Sequence, residues 1–235
     1  MPATVVLVHG AWHGAWAWER VVQVLGELGI AGVAPDLPGH GDSELALTDL
    51  RGDAAFVRDV VDGIDGPIVL CGHSYGGAVV TEASAGVDAV AHLVFVAAVV
   101  PEEGESHWAI LERHGNDTEI MGHVRPDGEG TATLDREGVL SSLFHDVEPD
   151  VAARAAARLD AHRLAALQQP VTAAGWRERP ASYVMCSADR ALALPIQRLM
   201  ADRTGERFEL RSGHSPFLSM PARLAGLLAA VARRY

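Results

Sequence analysis

Six short apolar runs recur along this chain: TVVLVHG, AGVAPDL, PIVLCG, HLVFVAA, ASYVMCS and RFELRSG. Among them stand AWERVVQVLGELG, DAAFVRDVVDGI, GGAVVTEASA and PARLAGLLAAVARR, whose apolar residues fall at helical spacing. That alternation limits the fold more than any other feature. Strands apolar on both faces need helices on both sides of their sheet. We expect an α/β domain of about six mostly parallel strands flanked by helices. The rhythm breaks once, over residues 101–180, where no convincing strand occurs and charged, alanine-rich stretches such as VAARAAARLDAHRLAALQ predict helices. The predicted organisation is a core of residues 1–100 and 181–235, with 101–180 inserted as a helical cap before the last two strands. At 235 residues and 49% hydrophobic content, the chain can bury one sizeable core.

Charge and composition exclude several functions. A formal net charge of -12 argues against nucleic acid or an anionic membrane as partner, because both need a basic surface. All 19 basic residues are arginine, which removes every mechanism that depends on a lysine amine. The two cysteines, Cys71 and Cys186, each sit in an apolar run and predict inert core thiols in a reducing compartment. The N-terminal MPATVVLVHG has no charged leader region or cleavage site, and no apolar run nears the ~18 residues of a membrane span. A soluble cytoplasmic protein is expected.

The strongest local signal is IVLCGHSYGGAVV, in which a β-branched strand runs into Gly72-His73-Ser74-Tyr75-Gly76 and leaves through Gly77 into a helix. A strand-to-helix turn sharp enough to lift a serine Oγ above a sheet crowds the positions two before and two after it, and glycine occupies both. The following helix directs free backbone N–H groups at the site. A nucleophilic serine needs a histidine base, itself oriented by a carboxylate, in the order Ser, Asp or Glu, His. His214 follows the last predicted strand and Asp189 the one before it, at the sheet edge where such groups gather. Glu102 and Glu103 are the alternative acid. Asp36 and Asp42 precede the serine and read as turn and capping residues. Ser215, followed by proline, reads as a helix N-cap rather than a rival nucleophile.

Acyl transfer through a serine creates an oxyanion that needs two N–H donors. The Tyr75 amide is one candidate, and Ala11, in the HGAW loop after the first strand, is the other. Gly10 lets that backbone come close, while Trp12, Trp16 and Trp18 are expected mainly to pack the loop. Trp12, His13 and, from the insertion, Trp108 are the candidates for substrate contact, with Trp176 a further aromatic for the pocket rim. His9 and His13 stand four apart, but no helix or additional ligand accompanies them, so no metal site and no cofactor is predicted.

Through VLVHGAWHGAWAW, GHSYGG, CSADRALALPIQRLM and GHSPFLSMP the chain resembles the α/β-hydrolase superfamily. Within it, the chain is similar to small esterases grouped with plant methyl esterases and hydroxynitrile lyases, and to bacterial pyrethroid-type esterases. The resemblance covers the first hundred residues and the last fifty-five, and touches the insertion only in position and general character. In the lyase branch a threonine follows the first histidine and a lysine the catalytic one; here these positions are Gly10 and Ser215, which leaves the hydrolytic branch. Relatives that remove halide or open epoxides carry an aspartate where Ser74 stands. The expectation is a cofactor-free serine esterase acting on a small or aromatic carboxylic ester, as a monomer or homodimer. A tailoring hydrolase or lyase of secondary metabolism using the same triad, and a non-catalytic receptor for a small ligand, are the alternatives.

Overall fold

The computed structural model describes residues 2–115 and 118–235. The chain begins with β1 (Thr4–Val8), α1 (Glu19–Glu27), β2 (Gly32–Val33), α2 (Leu50–Asp62), β3 (Ile68–His73), α3 (Gly76–Ser84) and β4 (Val90–Val96). The insertion follows, with α4 (His107–His114), β5 (Val124–Pro126), β6 (Thr131–Leu134), α5 (Arg136–Gly138), α6 (Pro149–Ala156), β7 (His162–Arg163) and α7 (Leu164–Gln168). The chain closes with β8 (Ala181–Cys186), α8 (Leu194–Asp202), β9 (Glu206–Leu210), α9 (Pro216–Ser219) and α10 (Pro221–Ala232).

The six expected strands form one sheet in the order β2-β1-β3-β4-β8-β9, with every pairing parallel. Side chains alternate between its faces, as a period of two requires. Val6 and Val8 of β1, Leu70 of β3 and Phe95 of β4 join one apolar layer with Val57 of α2, Val79 of α3 and Met200 of α8. Val5, Leu7, Cys71 and Val94 join the other, against Leu25 of α1 and Leu228 of α10. Both cysteines are buried and unpaired. Among the described residues no helix is long and apolar enough to cross a membrane.

Two expectations about the insertion need correction. It is not purely helical, because β5, β6 and β7 form a separate antiparallel sheet. These strands have two to four residues and little apolar content, so they lack the signature that exposes the core strands. The stretch VAARAAARLDAHRLAALQ is also not continuous helix. It breaks between α6 and α7, where the Asp160 amide donates to the carbonyl of Trp12 (2.8 Å) and His162 pairs with Ala132 of β6. Tertiary contacts override alanine's propensity there.

From β1 the chain moves to one side to form β2, then crosses to β1's other side to form β3. Open α/β sheets bind ligands in the crevice that such a reversal leaves at the strands' C-terminal ends. Here the crevice lies between the HGAW loop and the turn holding Ser74. The backbones around it pack closely: a Cβ on Gly77 would lie 2.1 Å from the carbonyl oxygen of Val99. Gly77→Ala should therefore cost about 1–3 kcal/mol of stability, read as a lower urea midpoint; an unchanged midpoint would show that the turn can yield.

Candidate active site

Ser74 has φ +52°, in the left-handed region that side chains avoid. Trp12 (φ +65°) and Ala97 (φ +43°) are the other non-glycine residues in this region among those described. The three lie just beyond the ends of β3, β1 and β4, so backbone strain is concentrated at one edge of the sheet. The glycines around Ser74 make the turn possible. A Cβ on Gly72 would come within 2.4 Å of the Gly76 carbonyl oxygen, and one on Gly76 within 2.7 Å of the His9 carbonyl oxygen. On Gly10 it would meet His73 Nδ1 at 2.8 Å and the Cβ of Ser74 at 3.0 Å, so the HGAW loop lies directly against the serine turn.

Opposite stands His214, whose Nδ1 donates to Asp189 Oδ2 at 2.8 Å, with both side chains almost fully buried. Asp189 is held on all sides. Its Oδ1 accepts the amides of Ala191 (2.7 Å) and Leu192 (2.9 Å), and its Oδ2 also accepts Gln197 Nε2 (2.9 Å). Turn capping and the partnership with His214 therefore belong to one carboxylate. The His214 carbonyl accepts His73 Nε2 at 2.9 Å, which ties the histidine loop to the serine turn. Ser215 does precede α9, with Pro216 first in the helix, but its Oγ makes no capping bond.

The HGAW loop is fixed by its own histidines. His9 Nδ1 donates to the Gly10 carbonyl (2.9 Å) while Nε2 accepts the Leu37 amide (3.0 Å), so both ring nitrogens serve the backbone. His13 Nδ1 donates to the Ala11 carbonyl at 2.8 Å. Trp16 and Trp18 are buried, and Trp12 Nε1 reaches across to the Ala132 carbonyl of β6 at 2.9 Å. Tyr75 is wholly buried, its hydroxyl donating to Asp53 Oδ2 at 2.7 Å; Asp53 Oδ1 accepts Thr48 Oγ1 at 2.6 Å. Burial raises both the Tyr75 phenol and the Asp53 carboxyl.

Ser74 and His214 line one narrow cavity of about 50 Å³, together with Ala11, Trp12 and His13. The insertion closes it with His107, Leu111, Ile120, Met121, Val124 and Leu143. Trp108 is not in that lining. On α4, His107 and Leu111 stand one turn apart and face the cavity, whereas Trp108 turns aside and donates its Nε1 to Glu112 Oε1 at 2.7 Å. Trp176 is likewise elsewhere, bonded to the Pro101 carbonyl at 2.8 Å. Glu102 pairs with Arg177, and Asp36 accepts the amides of Ala15 and Asp42, so these carboxylates hold loops and ion pairs. The sequence reading missed His107, Asp53 and His162. A polar residue on an apolar helical stripe was the available signal for Asp53, between Leu50 and Val57.

Comparison with known proteins came to the same fold. The profile described as Alpha/beta hydrolase family matches residues 5–227. An alpha/beta hydrolase, nvfD of Aspergillus novofumigatus, is 30% identical over 235 residues, covering 92% of this chain and 91% of that protein. A carbendazim hydrolyzing esterase of Nocardioides is 34% identical over 116 residues, 47% of this chain and 48% of that protein. Among solved structures, a pyrethroid hydrolase from Sphingobium faniae superposes with a TM-score of 0.87 at 25% identity, covering 98% of this chain and 97% of that one.

Histidines make this region sensitive to acid. Burial lowers His9, His73 and His162 well below the ordinary 6.5, and lowers His13 and His107 to about 4. Between pH 6.5 and the folded-state values the unfolded chain binds more protons than the native one, so stability is full above pH 6.5 and falls with acidification. Each such ring contributes up to about 1.4 kcal/mol per pH unit. Asp53, raised by burial, acts in the opposite sense, but it is one group against five. Thermal midpoints should drop steadily from pH 6.5 to pH 5, and a flat profile would mean that the rings are solvated or charged in the fold.

Proposed function

The chain belongs to the alpha/beta hydrolase family, and on that premise we propose that it is a serine esterase cleaving small carboxylic esters through an acyl-enzyme. One observation carries the reading: His214 has its Nδ1 bound to Asp189 at 2.8 Å and shares a cavity wall with Ser74. With Nδ1 engaged, Nε2 is the nitrogen left to act as base. It takes the proton of Ser74 Oγ as the oxygen attacks the ester carbonyl carbon. The amides of Ala11 and Tyr75 receive the resulting oxyanion. Collapse breaks the bond to the alcohol oxygen, which takes the proton from His214. Water then repeats the sequence on the acyl-enzyme and releases the acid. Asp189 orients the ring and stabilises its transient positive charge.

The named activities of the relatives support this class of chemistry, since esterases and a pyrethroid hydrolase are among them. The insertion at 101–180, whose His107, Leu111, Ile120 and Leu143 line the cavity and whose β5, β6 and β7 lie outside the main sheet, acts in this proposal as the cap that selects substrate. A net charge of -12 fits a small-molecule substrate better than nucleic acid or an anionic membrane. Two buried, unpaired thiols fit a cytoplasmic setting. No step of the reaction calls for a cofactor.

Initial rates on p-nitrophenyl esters from acetyl to octanoyl, for wild type and Ser74→Ala, test the proposal. Turnover should fall at least about 10,000-fold in the variant, and the small cavity should favour the shorter acyl chains. Near-wild-type rates in Ser74→Ala would remove the nucleophile from the mechanism.

A further inference from the structure

Among the described residues around the cavity, only Ser74, His214, His13 and His107 have side chains that are not apolar. His13 and His107 are held differently. His13 is built into the wall: Nδ1 is bonded to Ala11, Nε2 is buried without a partner among the described residues, and the ring is stacked on Trp16 and met edge-on by His73, Phe144 and Phe217. His107 hangs from the insertion, and neither of its ring nitrogens has a hydrogen-bond partner among the described residues, Nδ1 being buried. Its only aromatic neighbour there is Tyr75, at 6.3 Å between ring centres.

The backbone does not let His107 turn away. Ser106 caps α4 by accepting the Ala109 amide at 3.0 Å, Ile110 is fully buried beneath the helix, and Arg113 pairs with Glu105. Leu111 lines the same cavity one turn later, so His107 faces it by helical phase. An imidazole that lines a cavity with neither nitrogen engaged keeps its hydrogen-bonding capacity for whatever enters.

We propose that His107 is a specificity-determining residue, whose imidazole ring binds an uncharged polar substituent, a hydroxyl or a ketone, carried by the ester substrate in addition to its ester group. This rests on the esterase reading above and names the substrate class within it. Burial first, and then the neighbouring His214, lower the His107 ring to about 4, so it is neutral near pH 7. Among the described residues no group fixes a proton on either ring nitrogen. The ring therefore presents to the cavity either a lone pair to a hydroxyl or an N–H to a ketone. A carboxylate at the same place would lose its hydration among Leu111, Ile120 and Leu143 without gaining a cation, which restricts the substituent to neutral groups.

Binding measured without turnover separates this inference from the esterase reading. NMR titration of Ser74→Ala with methyl butanoate, methyl 2-hydroxybutanoate, methyl 3-hydroxybutanoate and methyl 3-oxobutanoate gives each dissociation constant. At least one polar ester should bind about fivefold or more tighter than the parent. In Ser74→Ala/His107→Leu that preference should shrink to less than about twofold, and in Ser74→Ala/His107→Gln part of it should return. Equal binding of all four esters by Ser74→Ala, or a preference that survives in the leucine variant, would overturn the inference. Absence of Ser74-dependent hydrolysis would defeat the esterase reading, and the binding preference would still decide the role of His107.

Discussion

Between the ends of β1 and β3 the chain packs so closely that neither Gly10 nor Gly76 has room for a Cβ. Gly10 lies against His73 and Ser74, and Gly76 lies against the carbonyls of Val8 and His9. This contact determines the site in two ways. It forces Ser74 into a left-handed conformation, aiming its side chain out of the sheet, and it brings the Ala11 loop beside the serine turn. The register of the sheet maintains it, with Val8 opposite Gly72 and His73 opposite Val96. Strain of this kind lasts only where the surroundings over-determine it. The layers of apolar side chains on both faces of β1, β3 and β4 provide that determination.

A second constraint is electrostatic. Loops at a strand edge expose backbone polar groups, and this chain satisfies many of them with neutral imidazoles: His9 joins the first two loops, and His73 joins the serine turn to the His214 loop. A neutral imidazole suits this work because it donates from one nitrogen and accepts at the other. Lysine or arginine could only donate, and would bring a charge into a closed space. The same choice makes the fold dependent on these rings staying unprotonated, so the rigidity of the loops and their acid lability have a common source.

The core was readable in the sequence because its physics is local. A strand covered on both faces must be apolar along its whole length, and β1, β3, β4 and β8 are almost unbroken apolar runs. Ser74 and His214 were readable for a related reason: a glycine-flanked turn and a histidine after the last strand can be recognised without knowing what lies opposite. The insertion gave no such signal. Thr131–Leu134 and His162–Arg163 are strands only because they find each other, and Asp160 leaves the helical pattern to meet Trp12 and Gly41. Trp108, the residue of the insertion expected to touch substrate, turns aside, because helical phase, set by where Ile110 enters the core, puts His107 in the cavity.

Core and insertion therefore contribute different things to one cavity. Every group assigned to bond breaking, from Ala11 to His214, stands on a loop or turn that follows a strand of the six-stranded sheet, where precision of placement follows from close packing. The groups that would distinguish one substrate from another come largely from the insertion, from His107, Leu111, Ile120, Met121, Val124 and Leu143. Yet the two parts are coupled: Trp12 bonds to Ala132 and accepts from Asp160, while Tyr75 packs edge-on against His162 at 4.7 Å. Trp12 and Tyr75 flank or carry the proposed oxyanion donors. Displacement of the insertion by a poorly fitting ligand would thus be felt at the two amides that must stay fixed. In such a design, selectivity arises in the rate of the chemical step as well as in binding, because a ligand that fails to seat the insertion also loosens the site that would attack it.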